Sequence, residues 1–276
     1  MWLIFRRFQA MLPGRSVPVQ EGSRRRRTCD SGGMKTKTKA RILFAMLVAL
    51  GSFGAQGQEN GAQADLSKFR YGVETMRKIS NPGLLGHRNF YDRASVGPDA
   101  AWFDAVKQGN LAEVERRVQA GQDLEAKDEA SLGQTALGWA AFIGYMDIVQ
   151  YLVEQGADIR ATDRADVYNA LKSAVMGGNV DVVKYLHALL ENETDWDARE
   201  SDQETLFMVA AVDGRLETVE YILQFNPDIN VVAINDDPKI DESPLSGACE
   251  GGFTDVADLL ISKGAINHKT GRSSCN

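Results

Sequence analysis

The side chains from which chemistry could be assembled are few: three histidines (His87, His187, His268), three cysteines (Cys29, Cys249, Cys275) and 38 Asp plus Glu in 276 residues. No two of the cysteines and histidines stand at the short spacings that hold zinc, so no metal site is expected. GxxxxGK[ST], GxSxG, HExxH, SxxK and CxxC are all missing, which leaves phosphate cradling, nucleophilic acyl transfer and dithiol redox chemistry without a sequence signature. The carboxylates Asp123, Asp147, Asp158, Asp181, Glu217, Asp228 and Asp255 recur at regular intervals, as on a solvated face. General acid–base work needs convergent carboxylates instead. His187 takes a position that is apolar in related segments and has no partner in sequence, which reads as a packed histidine. Asp236, Asp237, Asp241 and Glu242 flank Pro238 and offer oxygens to calcium, but at spacings of no recognisable loop, so a solvated acidic finger is the plainer reading. No catalytic residue and no cofactor is expected.

Charge is divided unevenly along the chain. Residues 1–57 carry eleven basic and two acidic side chains, whereas 58–276 carry 20 basic and 36 acidic. A body this acidic repels phosphate backbones and disfavours nucleic acid as a partner. With 43% hydrophobic residues the composition is that of an ordinary globular protein.

From Met34 the text reads as a secretory signal peptide over 34–57. Lys35, Lys37, Lys39 and Arg41 precede the uncharged run 42–55, and Ala55 and Gly57 suit cleavage before Gln58. As a helix the run spans about 21 Å, short of the hydrocarbon core, so contact with a membrane is expected to be transient. Residues 1–33 do not fit ahead of such a peptide and read as an upstream extension of the gene. A periplasmic or secreted protein is the expectation. A basic localisation patch at Arg24–Arg27 in an unexported chain is the alternative.

A repeat positions everything that follows. Gly109, Gly144, Gly178, Gly214 and Gly252 are 34 to 38 residues apart, and four residues before each stands Ala105, Ala140, Ala174, Ala210 and Ala248. Seven before come Trp102, Leu137, Leu171, Phe207 and Leu245; five after come Val114, Val149, Val183, Val219 and Ala257. These offsets place one apolar face on a helix before the glycine and another on a helix after it. Thr135, Asn169, Thr205 and Ser243, nine before the glycine, are predicted N-caps. A second turn residue, Gly121, Gly156, Asn226 or Gly264, closes the second helix.

The unit Thr135–Asp163 (TALGWAAFIGYMDIVQYLVEQGADIRATD) resembles the ankyrin repeat, whose period is about 33 residues. The resemblance covers five units, 99–133, 134–167, 168–203, 204–242 and 243–270, with a linker and N-terminal helix over 58–98 and a tail over 271–276. It implies an all-α solenoid of helix-turn-helix units with β-turn fingers, and an exported bacterial protein of that family. It departs from the family where TPLH reads TALG, so the corner histidine is absent, and at the long connections 190–202 and 231–242. Trp102 with Arg116 and Arg117 marks the first unit as a polar cap.

The resemblance implies a non-catalytic module that binds another protein on its concave side. At the matching offsets stand Phe142, Ile143, Tyr168, Met176 and Val212, an apolar stripe expected to be the exposed anchor, rimmed by Asp166, Asp213 and Glu250 that favour a basic partner. A different outcome is that residues 66–98 or the long fingers fold over the stripe and bury it. The alternative function is an enzyme or calcium-binding protein that uses the acidic connections 190–202 and 231–242. A scaffold tethered by an uncleaved apolar run is a further one. Cys249, at a buried helix position, reads as an inert thiol; a bridge to Cys275 is the lesser alternative, open only if the protein is exported.

Overall fold

A computed structural model describes residues 62–164, 169–190, 194–199, 203–234 and 242–276. The expected signal peptide and upstream extension lie outside them. The repeat resolves into five antiparallel helix pairs: α2 (Ala100–Gln108) with α3 (Leu111–Gln119), α4 (Ala136–Ile143) with α5 (Met146–Glu154), α6 (Ala170–Gly177) with α7 (Val180–Leu190), α8 (Leu206–Val212) with α9 (Leu216–Ile222), and α10 (Pro244–Glu250) with α11 (Thr254–Ser262). Among the described residues there are no strands, only three isolated antiparallel bridges. The architecture is the all-α solenoid expected.

Local chemistry sets the helix ends. Thr135, Asn169 and Thr205 each accept a bond from the amide three residues on, at 3.0, 2.9 and 3.2 Å. Ser243 forms a capping box with Ser246, and Pro244 follows at the first helical position. Gly144 shows why the turn residue must lack a side chain. Its φ is 90°, and a Cβ there would lie 2.2 Å from Oδ1 of Asn179. Asn226 takes the same left-handed conformation at φ 54°.

First helices stack on first helices, α2 on α4 on α6 on α8 on α10, and second helices form the outer row, α3 to α11. The five alanines four residues before the turn are buried, as are the leucine, phenylalanine and tryptophan side chains seven before it. Their repetition makes one elongated core that no unit could bury alone. Polar bonds tie successive units in register. Asn179 Nδ2 donates to the Phe142 carbonyl at 2.8 Å, the Asp158 amide to Glu125 at 2.8 Å, the Asp228 amide to Asp197 at 2.8 Å, and the Ile266 amide to Asn230 at 2.7 Å.

The N-terminal segment differs from the single helix the sequence suggests. A 3-10 turn (Leu66–Lys68) and α1 (Val73–Ser80) are separated by an extended break, with Gly72 at the N-cap of α1. The break lets Arg70 and Tyr71 reach the repeat turns. At the other end, Cys249 and Cys275 form a disulfide that ties the tail to α10.

Candidate functional site

The concave side of the repeats is where ligands were expected, and there the chain covers itself. Residues 62–64 pair antiparallel with 92–94 (Ala94 amide to Ala62 carbonyl 2.9 Å, Ala64 amide to Asp92 carbonyl 3.3 Å), so the segment leaves and returns at one place. Its outgoing arm carries α1 onto α4. Its return arm carries Leu85, Arg88, Phe90 and Tyr91 into the core.

Arg70, Tyr71 and Arg215 hold the outgoing arm. Arg70 Nη1 pairs with Asp147 at 2.8 Å, and its Nη2 donates to the Gly109 carbonyl. The Tyr71 hydroxyl donates to the Gly144 carbonyl at 3.4 Å, and its ring packs 4.9 Å from Tyr145. Arg215, in the turn between α8 and α9, donates to the carbonyls of Lys78 (3.3 Å) and Ile79 (2.8 Å) and to that of Met176 (2.7 Å). A guanidinium at the last turn of α1 satisfies carbonyls that have no intrahelical partner.

The return arm packs by aromatic contact. Phe90 meets Phe142 edge-on at 6.4 Å and lies 6.4 Å from Trp139, while the Arg88 guanidinium sits 5.6 Å over Trp139 and 5.8 Å over Phe142. Beside it an open cleft of about 390 Å³ is lined by Phe90, Arg93, Lys107, Ser131 and Trp139.

The exposed apolar stripe is therefore corrected. Phe142 and Ile143 are fully buried and Met176 nearly so, with Phe90 and Arg88 of the N-terminal segment lying against the Phe142 ring. Val212 is half-buried and packs on Met208, Val231 and Ala233. Asp213, expected at a solvated rim, is 5% exposed. Burial pushes its carboxyl up to about 7 and the nearby Glu242 adds to the rise, against the pull of Arg215, Lys172 and Arg88. Glu250 is exposed and pairs with Lys269 at 2.5 Å. Tyr168 and Asp166 lie outside the described residues, as do Asp236, Asp237, Pro238 and Asp241 of the acidic finger. Among the described residues no group of three or more His, Cys, Asp or Glu stands where it could hold a metal.

Sequence reasoning passed over Arg70, Tyr71, Arg88 and Arg215. One signal was available: residues 62–96 hold six basic and three acidic side chains, against 14 and 32 in residues 97–276. A basic segment beside so acidic a body is a candidate to lie on it.

The stacked helix pairs with fingers define a protein of the ankyrin class. The pattern described as Ankyrin repeats (3 copies) matches residues 102–197 and 186–271, and the chain belongs to the ankyrin repeat family. It is similar to Palmitoyltransferase AKR1 of Lachancea kluyveri, with 27% identity over 216 residues, which is 76% of this chain and 28% of the other. To the protein of the same name in Kluyveromyces lactis it is 29% identical, over 57% of this chain and 20% of the other. To Notch-regulated ankyrin repeat-containing protein A of Danio rerio it is 36% identical over 91 residues, covering 32% of this chain and 80% of that one. The chain thus spans between a fifth and three tenths of the two palmitoyltransferases.

These relatives are yeast and fish proteins, which overturns the periplasmic or secreted location expected from residues 34–57. Among the described residues no helix is long and apolar enough to cross a membrane.

Proposed function

We propose that the chain is a non-catalytic module that binds a partner protein on the concave side of its repeats. Phe142, Ile143, Met176 and Val212 underlie that side, and the exposed Glu250 supplies negative charge that favours a basic partner. The observation that carries the reading is that this groove already holds a polypeptide helix, α1, whose entry is held by Asp147 and the Gly109 and Gly144 carbonyls and whose exit is held by Arg215, groups from three different repeats. A surface shaped to take one amphipathic helix is suited to take another. The palmitoyltransferase activity in the relatives' name belongs to proteins of which this chain spans less than a third, so it is not carried over.

The test is affinity capture with the full chain, followed by cross-linking and mass spectrometry. The expected cross-links join the partner to the exposed Lys269 or Lys78, and Glu250→Arg weakens capture at least tenfold. Cross-links confined to Lys184 and Lys263 on the outer helices, with capture unchanged in Glu250→Arg, would refute the reading.

A further inference from the structure

The two arms of the N-terminal segment are held in different ways. The return arm is core: Leu85, Arg88, Phe90 and Tyr91 are buried, and Phe90 and Arg88 lie against Trp139 and Phe142. The outgoing arm is not. Of the eight residues of α1 only Met76 and Ser80 are buried, and no residue of the preceding 3-10 turn is. What fixes α1 is a set of polar clasps at its two ends. Arg70 with Asp147 and the Gly109 carbonyl, and Tyr71 with the Gly144 carbonyl, hold the entry. Arg215 on the carbonyls of Lys78 and Ile79 holds the exit. The Arg70–Asp147 pair is itself partly open to water, with side chains 33% and 43% exposed. A short helix with one fully buried apolar side chain, with Val73 and Ile79 only half-buried against the core and an entry clasp partly open to water, opens at a free energy below that of the stack.

We propose that α1 and its flanks, residues 66–81, are a built-in occupant of the concave groove, and that the partner is an amphipathic, arginine-bearing basic helix that takes their place. This rests on the reading of the groove as a protein-binding face and adds which partner it fits and how access is controlled. The strap itself states the chemistry. An apolar anchor fills the position of Met76 against α4. An arginine six residues before the anchor reaches Asp147 and the Gly109 carbonyl. The helix ends beside Arg215, whose charge favours a C-terminus there. The charge balance agrees, since a segment with an excess of basic residues lies on a body with 32 acidic and 14 basic ones. Tethering gives the strap a local concentration in the millimolar range, so a free helix competes poorly until the clasps loosen.

The experiment uses the full chain with Arg70→Ala, and in parallel Tyr71→Phe, substitutions in the strap itself that leave Asp147, the Gly109 and Gly144 carbonyls and Arg215 in place for an incoming helix. The probe is a fluorescently labelled synthetic peptide with the sequence of residues 64–83. Hydrogen exchange is expected to show α1 amides exchanging at least a hundredfold faster than those of α4 and α6 in the unaltered protein. Each substitution is expected to raise α1 exchange about tenfold, leave α4 and α6 unchanged, and tighten peptide binding at least tenfold. The proposal is overturned where α1 exchanges together with α4 and α6, or where the peptide fails to bind either variant. A partner cross-linked to the concave side while α1 keeps its protection would also overturn it, yet leave the binding face in place; cross-links on the outer row alone would remove the face itself.

Discussion

The ammonium of Lys107 lies 2.6 Å from a carboxylate oxygen of Asp128, and both side chains are almost wholly enclosed. The same carboxylate accepts the indole N–H of Trp139 at 2.8 Å, and Lys107 also donates to the Ser95 hydroxyl at 3.0 Å. This pair, within the first repeat, therefore joins that repeat to Trp139 of the second and to Ser95 at the end of the N-terminal segment. Removing one member of such a pair leaves an uncompensated buried charge, which costs about 3 to 5 kcal/mol, more than exchanging both for apolar groups. Asp128→Ala and Lys107→Met are each expected to lower the free energy of urea unfolding by that amount. The double variant Lys107→Met with Asp128→Leu is expected to lose less than either.

Asp213 bears on the pH dependence of the fold. Its carboxyl, raised from an ordinary value of 3.8 to about 7, binds its proton more tightly in the folded than in the unfolded chain. Its contribution to stability is thus complete below pH 3.8 and is lost as pH climbs through 7. Asp213→Asn removes the ionisation and keeps the shape. Thermal melts between pH 5 and 8.5 are expected to show the parent losing several degrees across that range and the variant nearly level, with the variant more stable at pH 8. Equal slopes for the two proteins would contradict the assignment.

What the text of the chain revealed and what it hid follow from the distance over which each feature is set. The N-caps Thr135, Asn169, Thr205 and Ser243 and the turn residues from Gly109 to Gly264 act on amides and dihedrals within a few residues, and all are where the pattern placed them. The apolar offsets were legible for the same reason. Exposure at Phe142 was not, because it depends on Arg88 and Phe90, in a segment with no periodic relation to the repeat. Arg215 is the clearest case. Nothing near it in sequence accounts for a guanidinium in a turn; its acceptors are carbonyls 136 and 137 residues away.

The disulfide between Cys249 and Cys275 closes a loop of 26 residues around the last repeat. In the chain-entropy description a cross-link of that span restrains the unfolded segment by about 3 kcal/mol. Stability in a solenoid is a sum of neighbouring terms, so the effect should stay local. Cys275→Ser is expected to reduce amide protection in α10 and α11 by up to that amount and leave α4 as it was. A dithiol reductant acting on the parent protein should reproduce the change. Loss of protection along the whole stack would show that the last repeat is no separate cap.

Trp196, from the irregular connection after α7, is buried in a ring cluster on the outer side. It stacks on Phe225 at 5.4 Å with an interplanar angle of 23°, and the His187 ring stands edge-on to both at 4.8 Å. His187 Nδ1 is 2.8 Å from the Tyr221 hydroxyl, a pairing that fixes the orientation of the ring. Burial pushes its pKa below the usual 6.5. A depressed value means that the folded chain prefers the neutral ring, so its contribution is complete above pH 6.5 and is lost as pH falls through the lowered value. Trp196→Ala empties one wall of the cluster and admits water to the imidazole. The expected cost is about 3 kcal/mol, and an NMR titration should place the His187 pKa nearer 6.5 in the variant than in the parent. An unchanged titration would mean that Trp196 does not shield the ring.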